Sequence, residues 1–459
     1  MHEDMRKLCL SILEGTIEYM DLTFKNSSRR LKYYNVNKSN CYRSIMTIFG
    51  ELKFTRTYYQ DKNKSNKFYF IDTLFKFDKY SRYDSTTKAI AIDYAVKTNQ
   101  KLGGELYNDV INPFQNNNNH SICRQTIYNW ISKWNIPNIN YSEKETLESL
   151  FIMVDEKYIH EQIKNVSIDN IESKLLEEIT DEVMNGELTE KGKISTKKSK
   201  NFIMSKCFVA FNGIEQKNKR KVLKNRTVFL TADKSPWTRF IDSISRIYDF
   251  TKIKTITTLT DAGTWITAGF SELKLYAQNK IINCLCEFHS KQKINRITRD
   301  NDLRTELNKY IAEDNKTNFI NLVNKISEEK SEKRKETINS YLNYIVKHWN
   351  WIKNMEKSKY KSSMESHISH NVASYFGSRP KGFGRKNIEK LLKLQEYKAN
   401  GININNLYIN SYSNKEIITT TENEINYSMF DKNTVNNVPI INSGQVTELY
   451  KTLVSIAHS

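Results

Sequence analysis

Paired cysteines and long apolar runs are both missing from this sequence. Its 459 residues include six cysteines, and none of them forms a Cys-x-x-Cys pair. No uninterrupted apolar stretch approaches the ~20 residues that a membrane-spanning helix requires. These absences argue against a disulfide-stabilised secreted domain and against a membrane span. Because the chain also starts without a signal-peptide pattern, we expect a reducing, cytoplasmic location.

Acidic residues are in the minority. Lysine and arginine number 71 and aspartate and glutamate 52, which gives a formal net charge of +19 and a pI of about 9.3. Such an excess favours a polyanionic partner, above all nucleic acid. The alternative is a lysine- and asparagine-rich composition that an AT-rich genome would produce by codon bias. The 12% of aromatic residues supports real hydrophobic cores, and the length suits about two to four domains.

Two closely spaced cysteines and a histidine raise the question of a zinc site. Cys284 and Cys286 are followed by His289, but a second ligand pair at metal-binding spacing is missing. Both cysteines belong to the apolar run 281–286. We therefore expect buried core cysteines here rather than structural zinc.

Residues 1–140 are interpreted as a DNA-binding region. Apolar residues recur every three to four positions over residues 1–25, which predicts an amphipathic helix. Two β-rich runs, Ser44–Phe49 and Leu52–Tyr59, are joined at Gly50-Glu51 and predict a hairpin. The second run is basic and aromatic, so its side chains could contact phosphates and stack on bases, or could form a solvated sheet face.

A candidate recognition helix lies near the end of this region. After a helical segment at 85–111 and a polar loop, residues 121–131 predict a short helix with a serine cap and an apolar inner face. Arg124, Gln125 and Asn129 face outward, as the base-reading side chains of a recognition helix do. The alternative is an ordinary amphipathic helix, because the preceding loop is longer than the usual helix-turn-helix turn.

The region 146–286 combines predicted strands and helices. We expect strands at 151–160, 202–211, 226–231, 254–260 and 280–286, and helices at 237–248 and 270–277. Because helices alternate with strands late in this region, parallel strands with helices on their faces are expected. The remaining predicted segments are a charged insertion at 161–200, a helical block at 287–360, a helix with a basic loop at 361–400, and a polar tail at 401–459 with a last helix at 446–456.

Three carboxylates lie where divalent cations could be held. Asp155 and Asp261 each lie at the end or edge of a predicted strand, and Glu365 lies on a later helix. Two Mg²⁺ ions about 3.5–4 Å apart can activate an attacking oxygen and stabilise the leaving oxygen of a phosphodiester. Three carboxylates suffice, because Mg²⁺ keeps several waters. The alternative is that these residues are ordinary helix caps or turns.

Glu156 competes with its neighbour Asp155 for the first position. Adjacent side chains on a strand point to opposite faces, so only one of the two can face the metals. We choose Asp155, because it closes the apolar run.

Several basic residues and histidines could assist the carboxylates. His289 could position a phosphate or a water molecule, or it could cap its strand. His370 is a second possible auxiliary residue, from the segment that carries Glu365. Three cations of the glycine-rich loop are candidate phosphate contacts, or else part of a solvated turn: Arg379, Lys381 and Arg385.

These residues lie in blocks that resemble a known family. The blocks are 154–160 (VDEKYIH), 259–266 (LTDAGTWI), 365–370 (ESHISH) and 378–383 (SRPKGF), together with 288–289, Lys293, 49–51 and 124–130. They resemble DDE-type transposases of bacterial insertion sequences, and the chain looks most like the Lre-type insertion-sequence family. The charged segment 161–200 and the loop before the recognition helix look longer than in that family.

The resemblance implies a multi-domain α+β protein. Its parts would be an N-terminal helical and hairpin DNA-binding region and an RNase H-like α/β catalytic core with an all-helical insertion. It also implies that Asp155, Asp261 and Glu365 are catalytic residues that bind Mg²⁺, for which Mn²⁺ could substitute. The expected function is a bacterial, nucleoid-associated DNA transposase that cleaves and joins strands.

The expected partners follow from that function. They are double-stranded DNA, as the element's terminal inverted repeats and as target, and a further copy of the chain, since two ends must be joined in concert. Two alternatives stay open: an RNase H-like nuclease without strand transfer, and a catalytically inactive DNA-binding regulator.

Overall fold

The computed structural model describes residues 2–63, 66–111, 121–139, 141, 143–161, 202–276, 280–377 and 383–413. The chain divides into two compact units, one of residues 1–95, 100–127 and 405–459 and the other of residues 96–99 and 128–404. Within the described ranges, no helix is long and apolar enough to cross a bilayer. Nearly all of the predicted insertion at 161–200, the predicted helix at 446–456, Arg379 and Lys381 lie outside the described residues.

The first unit packs helices against a small antiparallel sheet with the strand order β1-β2-β3. The elements up to residue 133 are α1 (His2–Asn26), α2 (Ser28–Tyr33), β1 (Tyr34–Thr47), β2 (Gly50–Asp61), β3 (Lys67–Tyr69), α3 (Phe70–Leu74), α4 (Ser85–Lys97), α5 (Gln100–Ile111) and α6 (Arg124–Lys133). The amphipathic helix predicted over residues 1–25 is confirmed: its buried Ile17 and Phe24 pack against Ile45, Phe54 and Tyr59 of the sheet.

The predicted hairpin is present, but its turn lies elsewhere. Thr47 pairs with Gly50, so the turn consists of Ile48 and Phe49 rather than of Gly50 and Glu51. The Thr47 hydroxyl donates to the Gly50 carbonyl at 2.9 Å and accepts from the Phe49 N–H at 3.1 Å, which closes the turn. Gly50, the first residue of β2, has a φ of 120°, a value that favours glycine over other residues.

The second unit is built on a mixed five-stranded sheet with the order β10-β9-β4-β5-β8. Its strands are β4 (Ser149–His160), β5 (Phe202–Phe211), β6 (Gly213–Lys217), β7 (Arg220–Lys224), β8 (Thr227–Thr231), β9 (Thr255–Thr260) and β10 (Lys280–Leu285). β4, β9 and β10 run parallel, whereas β5 is antiparallel to β4 and to β8. The expected strands are confirmed, including the parallel pairing late in the region.

The β6–β7 hairpin was not predicted from the sequence. It forms a separate two-stranded sheet, and most of its residues are exposed. A strand that is exposed on both faces has no reason to alternate apolar and polar residues, so its sequence lacks the signal on which strand prediction depends.

Helices cover the sheet and form the predicted helical block. They are α7 (Pro236–Ile244), α8 (Thr264–Tyr276), α9 (Glu287–Ile297), α10 (Asn301–Ala312), α11 (Lys316–Glu328), α12 (Glu332–Lys347), α13 (Trp349–Lys357), α14 (Met364–Ile368), a π-helical turn (Ser369–Ala373), α15 (Ser374–Phe376) and α16 (Arg385–Ala399). α7 and α8 bury Trp237, Phe240 and Ile266 against Val154 and Phe208 of the sheet. The helical block has a core of its own around Phe319 and Ile345.

The polar tail predicted at 401–459 begins with a helix instead of a loop. Helix α17 spans Ile404–Ser413, and its Ile404 and Tyr408 are buried. The two side chains are four residues apart and therefore share a helix face. Burial in the tertiary structure stabilises this asparagine-rich segment as a helix, which local propensity does not favour.

Side chains of α16 cover the edge of the sheet at β8. Asn400, directly after the helix, donates to the Val228 carbonyl and accepts from the Val228 N–H, both at 2.8 Å. Glu396 accepts from the Leu230 N–H at 3.0 Å, and Glu389 accepts from the Ala232 N–H at 2.7 Å. The helix thus satisfies backbone groups that an exposed edge strand would offer to another chain.

Candidate metal site at the ends of two parallel strands

Two of the predicted site residues lie side by side because β4 and β9 are parallel neighbours. Val154 of β4 pairs with Thr260 of β9, so Asp155 and Asp261 are the next residues of adjacent strands. Neighbouring strands lie ~4.8 Å apart, and residues in register on parallel strands point to the same face. The sheet therefore brings together two carboxylates that are far apart in sequence.

The adjacent glutamate points to the other face of the sheet. Glu156 accepts a hydrogen bond from the indole N–H of Trp265, whose ring packs against the core around Val154. This partner accounts for Glu156 without any role at the site.

Glu365 reaches Asp155 from a short helix laid across the sheet. Met364 and Ile368 of α14 are buried, which leaves Glu365 on the outer face of that helix. The Ser363 N–H lies 3.3 Å from the Met153 sulfur and so holds the start of α14 over β4. The helix continues into the π-helical turn, a deformation that is frequent at functional sites.

A three-residue group converges at this point. Asp155, His289 and Glu365 each offer a ligand atom, and the three atoms lie within 4.8 Å of one another. His289 Nε2 is 3.8 Å from Glu365 Oε1. The two carboxylates supply oxygen ligands of the kind that Mg²⁺ and Mn²⁺ prefer, whereas the imidazole nitrogen of His289 is a ligand that suits softer transition metals. The chemistry of the donors therefore fits a divalent cation.

Asp155 is a buried carboxyl group with other negative charges around it. Burial, the largest cause, and the charges of Asp261, Glu365 and Glu156 together raise the pKa of Asp155 to about 7, although the hydrogen bond from the Glu156 N–H lowers it. Acids that repel one another in this way are stabilised when a cation binds between them. A strongly raised carboxyl pKa beside like charges marks a functional-site candidate.

Asp261 lies beside the group but is not one of its three members. One of its carboxylate oxygens accepts from the Gly263 N–H at 3.0 Å, so part of this side chain serves the turn into α8. The alternative that Asp261 is an ordinary cap or turn residue is therefore correct for one of its two carboxylate oxygens. Its charge still acts on the site, because it contributes to the raised pKa values of both Asp155 and His289.

Cys286 is a site neighbour that sequence analysis had assigned to the core. Burial lowers the pKa of His289, but the Cys286 thiol and the charges of Asp261 and Glu365 raise it, and the net pKa is above its usual value. Burial likewise raises the pKa of Cys286, and hydrogen bonds from His289 and Ser362 bring it below its usual value. The signal in the sequence is the three-residue spacing to His289, which puts both on one helix face.

Tyr344 is a second residue that the sequence did not single out. It belongs to α12 of the helical block, and its hydroxyl donates to the backbone carbonyl of Asp261. Lys293 Nζ lies 5.0 Å from the centre of the Tyr344 ring. The helical block therefore contacts the backbone of a candidate ligand directly.

The other predicted site residues within the described ranges are not members of this group. Arg124, Gln125 and Asn129 are exposed on α6, whereas Ile127 and Ile131 of the same helix are fully buried. His370 is exposed in the π-helical turn and is not a member of the three-residue group. Arg385 is exposed at the start of α16.

The fold and the site define an α+β protein of two units, with a candidate divalent-metal site where the parallel pairing of β4 with β9 ends. The chain belongs to the uncharacterised protein family UPF0236, whose model matches residues 1–179 and 189–411. Two UPF0236 proteins of Caldanaerobacter subterraneus subsp. tengcongensis are each 22% identical to it over 471 residues. These matches cover 99% of this chain and 89% and 85% of the two relatives.

The comparison with solved structures gave weaker matches. The Drosophila P element transposase strand transfer complex is 11% identical, and the match covers 75% of this chain and 84% of that chain. The TM-score is 0.24, which is too low to support an argument about the fold.

Proposed function

We propose that this protein is the DNA transposase of an insertion sequence and that Asp155, Asp261 and Glu365 bind its catalytic Mg²⁺ ions. The observation that carries the proposal is the convergence of Asp155, Glu365 and His289 beside Asp261. Bound Mg²⁺ would supply charge stabilisation for the attacking and leaving oxygens of a phosphodiester. Cleavage by water would free a 3′-hydroxyl, which would then attack target DNA without a covalent protein–DNA intermediate.

The sheet supports an RNase H-like core. Three antiparallel strands (β4, β5 and β8) are followed by two strands parallel to the first (β9 and β10), with order β10-β9-β4-β5-β8. In this arrangement the central strand carries Asp155 and its parallel neighbour ends at Asp261. The helical block lies between β10 and the helix of Glu365, as the family resemblance leads us to expect.

Each side chain has a distinct part in this proposal. Asp155, with the highest density of negative charge around it, would gain most from a bound cation. His289 would hold Glu365 toward Asp155, and its raised pKa keeps more of the imidazole protonated at neutral pH. In its charged form it would also attract a DNA phosphate to the site.

DNA recognition belongs to the same proposal. Arg124, Gln125 and Asn129 on the outer face of α6 would read base edges, and Arg385 with Arg379 and Lys381 would contact phosphates. The net charge of +19 supports such a partner. Because two element ends must be joined together, the working form would contain at least two copies of the chain.

The name of one relative adds support of a different kind. A UPF0236 protein of Caldanaerobacter subterraneus subsp. tengcongensis, 22% identical to this chain, is named by eleven gene loci at once. Several loci for one protein are what a mobile element leaves when it multiplies within a genome.

The test uses DNA that contains the flanks of this gene. The purified protein is incubated with that DNA and Mg²⁺ or Mn²⁺, and nicks and joined products are mapped to the nucleotide. The variant is Glu365→Gln. The matched control is Glu332→Gln on α12, where the side chain is 85% exposed.

The three functional alternatives give different products. Metal-dependent cuts at matched terminal repeats with joined strands, lost in Glu365→Gln and kept in Glu332→Gln, are the expected result. Cuts without joining would replace the transposase by a nuclease. Specific binding without cleavage in either metal would indicate a DNA-binding regulator.

A further inference from the structure

The first unit contains a cavity of about 670 Å³ with a cationic and aromatic lining. Its cations are Arg43, Arg56, Lys67, Lys76 and Lys79, and its acids are Asp72 and Asp78. Five cationic groups against two carboxylates leave the cavity positively charged. It is formed by β1, β2, β3, α3, the segment that follows α3 and Tyr412 of α17, and all of its lining residues belong to this unit.

Two arginines at the base of the cavity share one carboxylate. Arg43 donates to Asp72 at 2.5 Å and to the carbonyls of Asp78 and Ser81 at 3.0 and 3.3 Å, while Arg56 pairs with the other oxygen of Asp72. Both arginine side chains are largely buried, with 7% and 11% of their surface exposed. Asp72 carries one negative charge for two buried guanidinium groups, and the charge of Asp78 acts on Arg43 as well. Because three lysines add to the lining, an anion in the cavity would meet a net positive charge.

Aromatic rings lie next to these charges. The Arg56 guanidinium is 3.7 Å from the centre of the Tyr69 ring, which in turn lies 4.5 Å from the ring of Tyr58 at an angle of 35°. At the rim, Tyr80 is 85% exposed, and Lys79 Nζ is 5.0 Å from its ring. Ring faces beside cations form the kind of surface on which single-stranded nucleic acid stacks its bases and neutralises its phosphates.

The shape of the cavity favours a single nucleotide over a duplex. Its volume is within the ~300–1,000 Å³ range of pockets that enclose small ligands. A paired base inside a duplex has no free face for a tyrosine ring, whereas an unpaired or extruded base does. We propose that this cavity binds one unpaired nucleotide of a DNA strand, with Arg56 and Lys79 near the phosphate and Tyr80 on the base. The choice of DNA rests on the proposed function.

The test measures binding of fluorescent DNA by anisotropy in EDTA, so that cleavage plays no part. The full-length protein is titrated against a labelled single strand and against the blunt duplex of the same sequence. The variant combines Lys79→Ser and Tyr80→Ala at the rim. The control combines Lys38→Ser and Tyr42→Ala on β1, which removes the same charge and ring from exposed positions outside the cavity.

We expect the rim variant to lose about tenfold in single-strand affinity, the loss of one stacked base, and the control to stay within about twofold. The duplex should be affected less than the single strand. Equal losses in both variants would reduce the effect to general surface charge and overturn the proposal. An unchanged rim variant would also overturn it, as would a free deoxynucleoside monophosphate that binds as tightly as the strand.

Failure here and failure of the proposed function are separable. If the unchanged protein cuts and joins its element ends but the rim variant binds single strands normally, the proposed function stands and the proposed nucleotide site is wrong. A protein that binds single strands through the rim but cuts nothing would lose the transposase assignment.

Discussion

Two clusters of carboxylates in the second unit each contain an acid with a strongly raised pKa but have different surroundings. The first, the strand-end cluster, consists of Asp155, Asp261 and Glu365. The second, the edge cluster, consists of Glu389 and Glu396 on α16. Burial raises the pKa of Asp155 to about 7 and that of Glu396 to about 8.

The difference lies in what the oxygens face. Glu396 and Glu389 accept hydrogen bonds from the backbone N–H groups of Leu230 and Ala232, so the edge cluster completes the sheet. In the strand-end cluster Asp155 and Glu365 face one another and His289, and the charge of Asp261 acts on Asp155 and His289. A raised pKa therefore occurs in both structural and functional acids. The two kinds differ in the groups that their carboxylate oxygens face. The predictions below test this distinction, from the largest effect to the smallest.

The largest difference is expected between two neighbouring residues. Asp155→Asn should reduce metal-dependent DNA cleavage about 10³-fold or more, because it removes a ligand and its charge from the site. Glu156→Gln should leave cleavage within about tenfold, because its side chain binds Trp265 on the other face of the sheet. Cleavage rates of the two variants on the same DNA check this; equal losses would contradict the assignment of Asp155.

Metal binding should stabilise the protein only through the strand-end cluster. At Mn²⁺ concentrations about a hundred times the Kd, bound metal adds ~2.7 kcal/mol to the free energy of unfolding. For a protein of this size, we expect the Tm to rise by a few degrees, about 2–5 °C. Thermal melts with Mn²⁺ and after EDTA treatment measure the shift.

Two variants provide the controls for that shift. Glu365→Gln should abolish it, whereas Glu389→Gln on the edge cluster should retain it. If the rise in Tm is kept in Glu365→Gln and lost in Glu389→Gln, the metal binds at the edge cluster and not at the strand-end cluster.

Removing the edge glutamate should destabilise the fold. Glu396→Ala leaves the buried Leu230 N–H without its acceptor, which costs about 1–3 kcal/mol. Chemical denaturation measures the loss in free energy of unfolding. The exposed Glu332→Ala should change that free energy by no more than about 0.5 kcal/mol.

The pH dependence of the edge cluster should be smaller. The pKa of Glu396 is raised to about 8 from an ordinary value of 4.5, so the folded protein holds this proton more tightly than the unfolded chain. The stabilisation from this group is complete below the unfolded pKa, falls progressively as the pH rises above it, and is lost as the pH passes the folded pKa of about 8. Between pH 7 and 9 the protein should lose about 1 kcal/mol relative to Glu396→Gln, which does not titrate. Denaturant melts of the unchanged protein and of Glu396→Gln at pH 7 and pH 9 measure this loss in free energy of unfolding. If the two proteins respond equally to pH, the Glu396 carboxyl is already ionised in the folded protein at pH 7.

Local patterns in the sequence were sufficient for the regular elements. The 3.6-residue periodicity of residues 1–25 and the apolar runs of β4, β5, β9 and β10 predict what the structure contains, because each of these segments buries one or both faces. The same runs pointed to Asp155 and Asp261, since a carboxylate directly after a buried strand is conspicuous in sequence. Whether these residues bind metal stays a prediction.

The features that were not predicted from the sequence depend on contacts between residues that are far apart in it. The β6–β7 hairpin lacks alternation because it is exposed, and α17 is a helix because Ile404 and Tyr408 are buried. Cys286 is buried as expected, but its relation to His289 and the contact of Tyr344 with Asp261 were not predicted, because they arise only when α9 and α12 pack beside β9. The edge cluster is likewise invisible in sequence, where Glu389 and Glu396 look like solvated helix residues.

The sequence by itself determined which segments are strands and helices and which carboxylates stand at strand ends, because hydrophobic periodicity is a local property. Only the tertiary structure decided which of those carboxylates meet. Parallel pairing of β4 with β9 and the placement of α14 over β4 bring Asp155, Asp261 and Glu365 together, whereas α16 turns Glu389 and Glu396 to the backbone of β8. An isolated segment cannot specify this difference, because it depends on which backbone donors the rest of the fold leaves within reach.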